Sequence, residues 1–177
     1  LTFGSTLRSI LRQDPDVLLI GEIRDSETAD IAVKFSLTGH LVFSTVHAND
    51  APGTLTRLLD IGIAPFLVGS CLNLVMAQRL VRKLCDKCKE KYKPTADEVA
   101  LIGLTIKDVK GNLYKAKGCA DCRNTGYRGR TAIFEMIPMA KELRKLIFEN
   151  ANEDEIRQAA IKNGMVTLRD AGNERVL

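Results

Sequence analysis

Apolar and polar positions switch between two periods along this chain, and the switches mark its elements. In residues 2–13, Leu7, Ile10 and Leu11 share one helical face, with Arg8 and Arg12 beside them at i,i+4. Thr2 or Ser5 can cap that helix, and Asp14-Pro15 breaks it. Val17 to Ile20 is an apolar run between a proline and Gly21, the pattern of a short strand buried on both faces of a parallel sheet. Ser26 is placed to cap a second helix, with Glu27 and Asp30 near its positive end, running to about Leu37 before Gly39. Leu41 to Val46 is a second β-branched strand. A helix from Pro52 to about Asp60 stops at Gly62. Pro65 then opens a longer one, to about Lys83, with Phe66, Leu67, Cys71, Leu74, Val75 and Leu80 on its apolar face. Alternating helix and strand with short connections predicts an α/β fold.

The pattern changes after Lys83. From Cys85 to Arg130 the chain is basic and carries two CxxC pairs, which reads as a separate small subdomain. Its one short helix, about Ala96 to Ile102, starts at a capping box formed by Thr95 and Glu98. Arg130 to Met136 reads as a strand closed by Pro138. Helices come next at about Lys141 to Glu149, from Asn152 (with Glu155 three residues on) to Asn163, and from Leu168 onward. The expected division is therefore 1–84, 85–129 and 130–177.

A chain of 177 residues can hold one good core plus a small satellite, and 45% hydrophobic content is ordinary for a folded domain. No apolar run is long enough to span a membrane, and no signal peptide is visible. The sequence begins with Leu1, not Met, which sets the expectation of a fragment of a longer protein. The net charge of +4 is unevenly placed: Arg79 to Arg130 holds 14 lysines and arginines against 6 aspartates and glutamates. Such a block can grip phosphate, lipid or nucleic acid, or simply form a solvated face. Only Tyr92, Tyr114 and Tyr127 are interleaved with it, which gives base stacking, and so a nucleic-acid partner, little support.

Two groups of residues carry chemistry. Glu22, Arg24 and Asp25 stand just past the first strand, and His47-Ala48-Asn49-Asp50 just past the second. In open α/β sheets ligands bind beyond the carboxyl ends of strands. A carboxylate there can orient a water or hold Mg²⁺ beside a phosphate; the alternative is an acidic turn after a core strand. His40 and His47, the two histidines of the chain, lie at opposite ends of the second strand. His47 shares an edge with Glu22, whereas His40 reads equally well as a turn residue. The second group is Cys85, Cys88, Cys119 and Cys122. Two CxxC pairs can supply four thiolates to a tetrahedral Zn²⁺, and the lysines around them favour the thiolate form. A redox dithiol and an empty cysteine cluster are the alternatives. Gly118, Gly126 and Gly129 suit the turns of such a knuckle, and Cys71 reads as core.

The stretch from Leu11 through Asp14-Pro15-Asp16 and Gly21-Glu22-Ile23-Arg24-Asp25 resembles the Walker B segment of the type II secretion and type IV pilus assembly ATPase family. Thr38-Gly39-His40 through His47-Ala48-Asn49-Asp50-Ala51 resembles that family's histidine box. Ala77-Gln78-Arg79-Leu80, the two CxxC pairs, Gly126-Tyr127, Gly129-Arg130 and Phe134-Glu135 come in the family's order. The tetracysteine segment points to the assembly and secretion branch, because retraction motors generally lack it. The resemblance implies part of a RecA-like P-loop ATPase core, with an inserted zinc-binding subdomain and a C-terminal helical region. It also implies a hexameric ring on the cytoplasmic face of the inner membrane, working with inner-membrane secretion or pilus components. By their motif positions, Glu22 would act at Mg²⁺ and the attacking water, and His47 would contact the γ-phosphate of ATP. Arg24, Asp25 and His40 would be associated with nucleotide or Mg²⁺, and the four cysteines would hold a structural zinc.

One departure matters. No GxxxxGKS or GxxxxGKT occurs in these residues, so a phosphate-cradling loop must come from elsewhere, and the chain alone is expected to turn over little ATP. A rival from another class is a zinc-stabilised binding module that grips nucleic acid or anionic lipid through its basic segment. A steep salt dependence of DNA binding would favour it.

Overall fold

The computed structural model describes residues 3–109 and 113–177. Thr2, and the side chains of Arg8 and Leu11 on the first helix, lie outside the described residues. The first half of the chain forms α1 (Phe3–Leu11), β1 (Val17–Ile20), α2 (Ser26–Leu37), β2 (Leu41–Ser44), α3 (Ala51–Asp60), α4 (Pro65–Cys71) and β3 (Leu74–Leu84). The rest forms β4 (Glu90–Tyr92), α5 (Ala96–Leu101), β5 (Leu113–Lys115), β6 (Tyr127–Pro138), α6 (Lys141–Phe148), α7 (Glu153–Lys162) and α8 (Leu168–Val176). Mixed α/β architecture is what the alternation of patterns predicts. Contacts sort the chain into two compact units, 1–77 with 136–165 and 78–135 with 166–177. This differs from three consecutive segments: the dividing points fall inside β3 and β6, and the last helix groups with the cysteine segment.

The first unit holds the larger core. β1 and β2 pair in parallel, Val17 opposite Leu41 through Ile20 opposite Ser44. Leu18 and Ile20 turn inward with Val42, and join Ala29, Ala32, Val33 and Phe35 of α2 in one cluster with Leu55, Ile137, Leu143, Ile147 and Ile156. The expectation that β1 is buried on both faces is corrected. Val17 and Leu19 are 53% and 74% exposed, and Leu41 and Phe43 on β2 also face out. A four-residue apolar run signals the capacity for two covered faces; among the described residues only one face has a layer upon it.

A second correction concerns residues 65–83. The long helix predicted there stops at Cys71, and the chain turns extended at Leu72 (φ −78°, ψ 135°) to enter β3. The reason comes from α6. Arg144 donates from Nε to the Met139 carbonyl at 3.2 Å, from Nη2 to the Leu72 carbonyl at 3.0 Å, and from Nη1 to the Gly69 carbonyl. A helix leaves its last carbonyls without intrahelical partners. Here a guanidinium fork from 72 residues away takes the Leu72 carbonyl, and its other nitrogen takes that of Gly69. Cys71 is the final helical residue and packs half-buried against the core.

In the second unit β4 and β5 pair antiparallel, Glu90 opposite Lys115. Helix α5 carries the predicted capping box, with Thr95 and Glu98 exchanging bonds with each other's backbone N–H. Asn152 and Glu155 do the same for α7 in the first unit. Glu135 on β6 is 2% exposed, and its Oε2 accepts the Leu168 N–H at 3.1 Å, fixing the start of α8. No helix among the described residues is long and apolar enough to cross a membrane.

Candidate functional site

The parallel register brings the carboxyl ends of β1 and β2 level, and two hydrogen bonds carry the alignment past the strands. Thr45 Oγ1 donates to the Gly21 carbonyl at 2.6 Å, and the Ile23 N–H donates to the Thr45 carbonyl at 2.9 Å. Glu22 and His47 therefore emerge side by side, with His47 Nε2 3.0 Å from Glu22 Oε2. The Arg24 guanidinium makes a close ion pair with the other oxygen, Oε1. Glu22 is held below the usual carboxylate range, first by the Arg24 hydrogen bond and further by His47, against a partial cost of burial. The Glu22 side chain is 33% exposed and that of His47 84%, so the pair faces outward where a ligand could reach it.

Asp25 has a structural duty. It, rather than Ser26, is the N-cap of α2: its Oδ1 accepts the Thr28 N–H at 2.8 Å, which lowers its pKa. His40 sits at the opposite end of β2. Its ring stacks on Phe35 with centroids 4.0 Å apart, its Nδ1 lies 2.9 Å from Thr38 Oγ1, and its Nε2 lies 3.8 Å from Asp14. The structure thus joins Glu22, Arg24 and His47, places Asp25 next in the chain as a cap, and keeps His40 at the amino end.

Three further residues complete this edge. Asp50 caps α3, its Oδ1 accepting the Gly53 N–H at 2.9 Å. Its Oδ2 lies 3.0 Å from Arg157 Nη2 on α7, and the same nitrogen lies 2.5 Å from Glu153 Oε1. Burial lowers the Arg157 pKa, but the two carboxylates outweigh it and raise it overall. A cavity of about 230 Å³ lies here, lined by His47, Asn49, Asp50, Arg57 and Glu153 among others. Asp50 announces itself as a cap before Ala51-Pro52. Arg157, 107 residues later, carries no local sign of its role.

The second unit gathers the four cysteines. The Sγ atoms of Cys85, Cys88, Cys119 and Cys122 all lie within 4.8 Å of one another. Cys119–Cys122, Cys88–Cys122 and Cys85–Cys119 are 3.7, 3.8 and 4.0 Å apart. Thiolates about 2.3 Å from a common tetrahedral centre would stand about 3.8 Å apart, so the donor set fits a structural Zn²⁺. These are free cysteines, not disulfides. The backbone prepares the site: the Cys119 and Gly126 N–H groups each donate to Cys122 Sγ at 3.2 Å. Burial pushes the Cys122 thiol up, yet those two donors, joined by the Cys119 and Cys88 thiols, prevail and hold it at about 6, while burial pushes Cys88 up to about 11. Gly126 has φ +74°, and a Cβ there would stand 2.6 Å from that of Ala116; Gly118, at φ +111°, would meet the Asn124 carbonyl oxygen at 2.9 Å.

Many of the surrounding cations are matched within the unit. Lys87 pairs with Asp121, Lys89 with Asp86 and Lys117 with Glu90. The tyrosine faces are covered too: Arg82 lies 4.0 Å above Tyr127, Lys89 5.2 Å above Tyr114 and Lys115 5.7 Å above Tyr92.

Against known proteins, the family described as "Type II/IV secretion system protein" matches residues 1–177. The chain belongs to this family. As a type II/IV secretion system protein it is 51% identical over 180 residues to the type IV pilus assembly ATPase PilB of Myxococcus xanthus (strain DK1622), covering all of this chain and 32% of that protein. It is 50% identical over 177 residues to the type II secretion system protein E of Pseudomonas aeruginosa, covering all of this chain and 35% of that protein. The chain spans about a third of the length of these curated relatives. Among solved structures, the pilus retraction motor PilT with bound ADP shares 26% identity at a TM-score of 0.57, covering 96% of this chain and 42% of that one. The Legionella pneumophila ATPase DotB shares the fold at 22% identity and a TM-score of 0.55, covering 91% and 34%. The α/β fold of this secretion-family chain is therefore that of these ATPases.

Proposed function

We propose that this chain is part of a secretion-type ATPase that couples ATP hydrolysis to type IV pilus assembly or type II secretion. The reading takes in a RecA-like core, an inserted zinc-binding subdomain, and a hexameric ring on the cytoplasmic face of the inner membrane that works on inner-membrane components of the machinery. One observation carries it: Glu22 and His47 meet at 3.0 Å on the shared carboxyl edge of two parallel strands. That edge is where open α/β sheets bind phosphate ligands. Relatives named as a pilus assembly ATPase and a secretion protein support the same reading at nearly equal identity.

Glu22 is the residue that orients the attacking water on the Mg²⁺ side of the nucleotide. Like any carboxyl of ordinary or lowered pKa it is ionised at neutral pH, and so a hydrogen-bond acceptor for that water. Arg24 holds one carboxylate oxygen and so limits the directions the other can point. His47, across from Glu22, contacts the terminal phosphate and registers its presence. Asp25 keeps the start of α2 in place beside them, and His40 braces the amino end of β2. Bound Mg²⁺ would supply charge neutralisation at the phosphates. Cys85, Cys88, Cys119 and Cys122 would hold one Zn²⁺ that staples two loops 34 residues apart.

In the full-length protein, Glu22→Gln should leave ATP binding largely intact and remove most turnover. Unchanged turnover would refute the assigned role. The isolated chain, which contributes a carboxylate and an imidazole but no phosphate-cradling loop, should hydrolyse ATP at a negligible rate; robust turnover would refute that.

A further inference from the structure

We propose that Arg157 is a positioning residue for the catalytic edge, setting through Asp50 where the segment 45–50 presents His47 to Glu22. The inference rests on the ATPase reading of that edge and adds a mechanical link from α7 to it.

The segment is anchored at both ends. At its start, Thr45 is tied to Gly21 and Ile23. At its end, the Asp50 carbonyl accepts from Thr54 N–H at 3.2 Å and Thr54 Oγ1 at 2.9 Å, and its carboxylate accepts from Gly53 and Arg157. Capping a helix needs one carboxylate oxygen. The second oxygen is committed to a residue 107 positions away, which capping does not require. Between the anchors, the 84%-exposed His47 side chain touches Glu22.

Arg157 is itself a rigid post. Ile156 and Ala160, its neighbours on α7, are 0% and 1% exposed in the core, and Glu153 holds the guanidinium from one turn earlier. The pair is partly buried, with side chains 26% and 22% exposed, so losing it costs some stability as well. Its larger effect is geometric, because His47 is three residues from Asp50 and displacement of a catalytic group by about 1 Å can slow a reaction about a hundredfold. A shift of α7 would move the capped end of the segment, and His47 with it.

The test uses the full-length protein. Arg157→Met removes both of its ion pairs, to Asp50 and to Glu153, and leaves the Asp50–Gly53 cap; Arg157→Lys retains a cation. With Mg²⁺ and ATP, Arg157→Met should lower kcat about tenfold or more and change KM less than about twofold, and Arg157→Lys should recover much of the loss. In a His47→Ala background, Arg157→Met should cost nothing further, since its effect passes through His47. Hydrogen exchange should quicken in 45–54 and, through the lost Glu153 pair, in the first turn of α7, and not elsewhere. An unchanged kcat, or a full additional loss in the His47→Ala background, would overturn the inference. Glu22→Gln separates the two readings: hydrolysis that depends on Glu22 but ignores Arg157 sinks this inference alone. If hydrolysis does not depend on Glu22, the ATPase assignment fails, and exchange in 45–54 decides the positioning claim, with no change refuting it.

Discussion

Replacing Arg144 with Met tests why the chain leaves the helical conformation at residue 72. Methionine keeps an apolar stem and helix propensity but has no donors. Arg144 makes three bonds, to the carbonyls of Met139, Gly69 and Leu72, and Gly69 is buried. A hydrogen bond from a charged donor contributes about 1.5–3 kcal/mol net, and fixing an arginine side chain costs about 2 kcal/mol. Three bonds less that cost, discounted for a half-buried guanidinium, leave a loss of about 2–4 kcal/mol. Arg144→Lys should lose about half as much, because one ammonium cannot serve three diverging carbonyls. Far-UV circular dichroism in urea measures the loss, and hydrogen exchange localises it: the amides from Val68 to Val75 should lose protection first. A cost below about 0.5 kcal/mol for Arg144→Met would mean that the fork contributes only packing. The break between α4 and β3 would then need another cause.

Protein purified without chelator should carry about one zinc per chain by elemental analysis, and Cys122→Ser should abolish it and expose residues 85–126 to exchange; a metal content near zero would refute the structural site. Gly126→Ala should weaken zinc binding about ten- to a hundredfold, because a Cβ at φ +74° must push aside Ala116 and disturb the N–H that serves Cys122. Equal affinity in a competition with a chromogenic chelator would refute this. Glu22, its pKa depressed by Arg24 and then His47, keeps those contacts above the ordinary carboxylate value of 4.5 and loses them as pH falls through its lower folded value. Carboxyl-carbon NMR should therefore show Glu22 titrating below 4.5; a midpoint above that would refute the pairing.

Several features were legible because their causes are local. Capping boxes close within three residues, so Thr95 with Glu98 and Asn152 with Glu155 are visible in the string itself. The CxxC pairs and their glycines declare a thiolate cluster for the same reason, and the structure gathers all four sulfurs. The candidate site was legible in its main pair: two strands bounded by proline and glycine, with acidic residues after one and a histidine after the other. That Glu22 and His47 come within 3.0 Å is a consequence of the parallel register, which only the paired strands could establish.

The rest depended on partners distant in the chain. Periodicity read residues 65–83 as one helix, because Leu74, Val75 and Leu80 suit a helical face as well as a strand; Arg144 of α6 decides between them by taking carbonyls at the end of α4. The outer face of β1 is apolar in sequence and open in space, since burial belongs to neighbouring layers and not to the strand. Asp50 was plain as a polar residue after a strand, yet its second oxygen waits for Arg157 on a helix 107 residues later. By itself, then, the sequence determined the elements, their caps and the kinds of chemistry at the strand ends and the cysteine knuckle, all set by contacts within a few residues. Where elements stop, which faces are covered and what holds His47 in place were decided only by tertiary structure, because these depend on groups that meet only once the chain has folded.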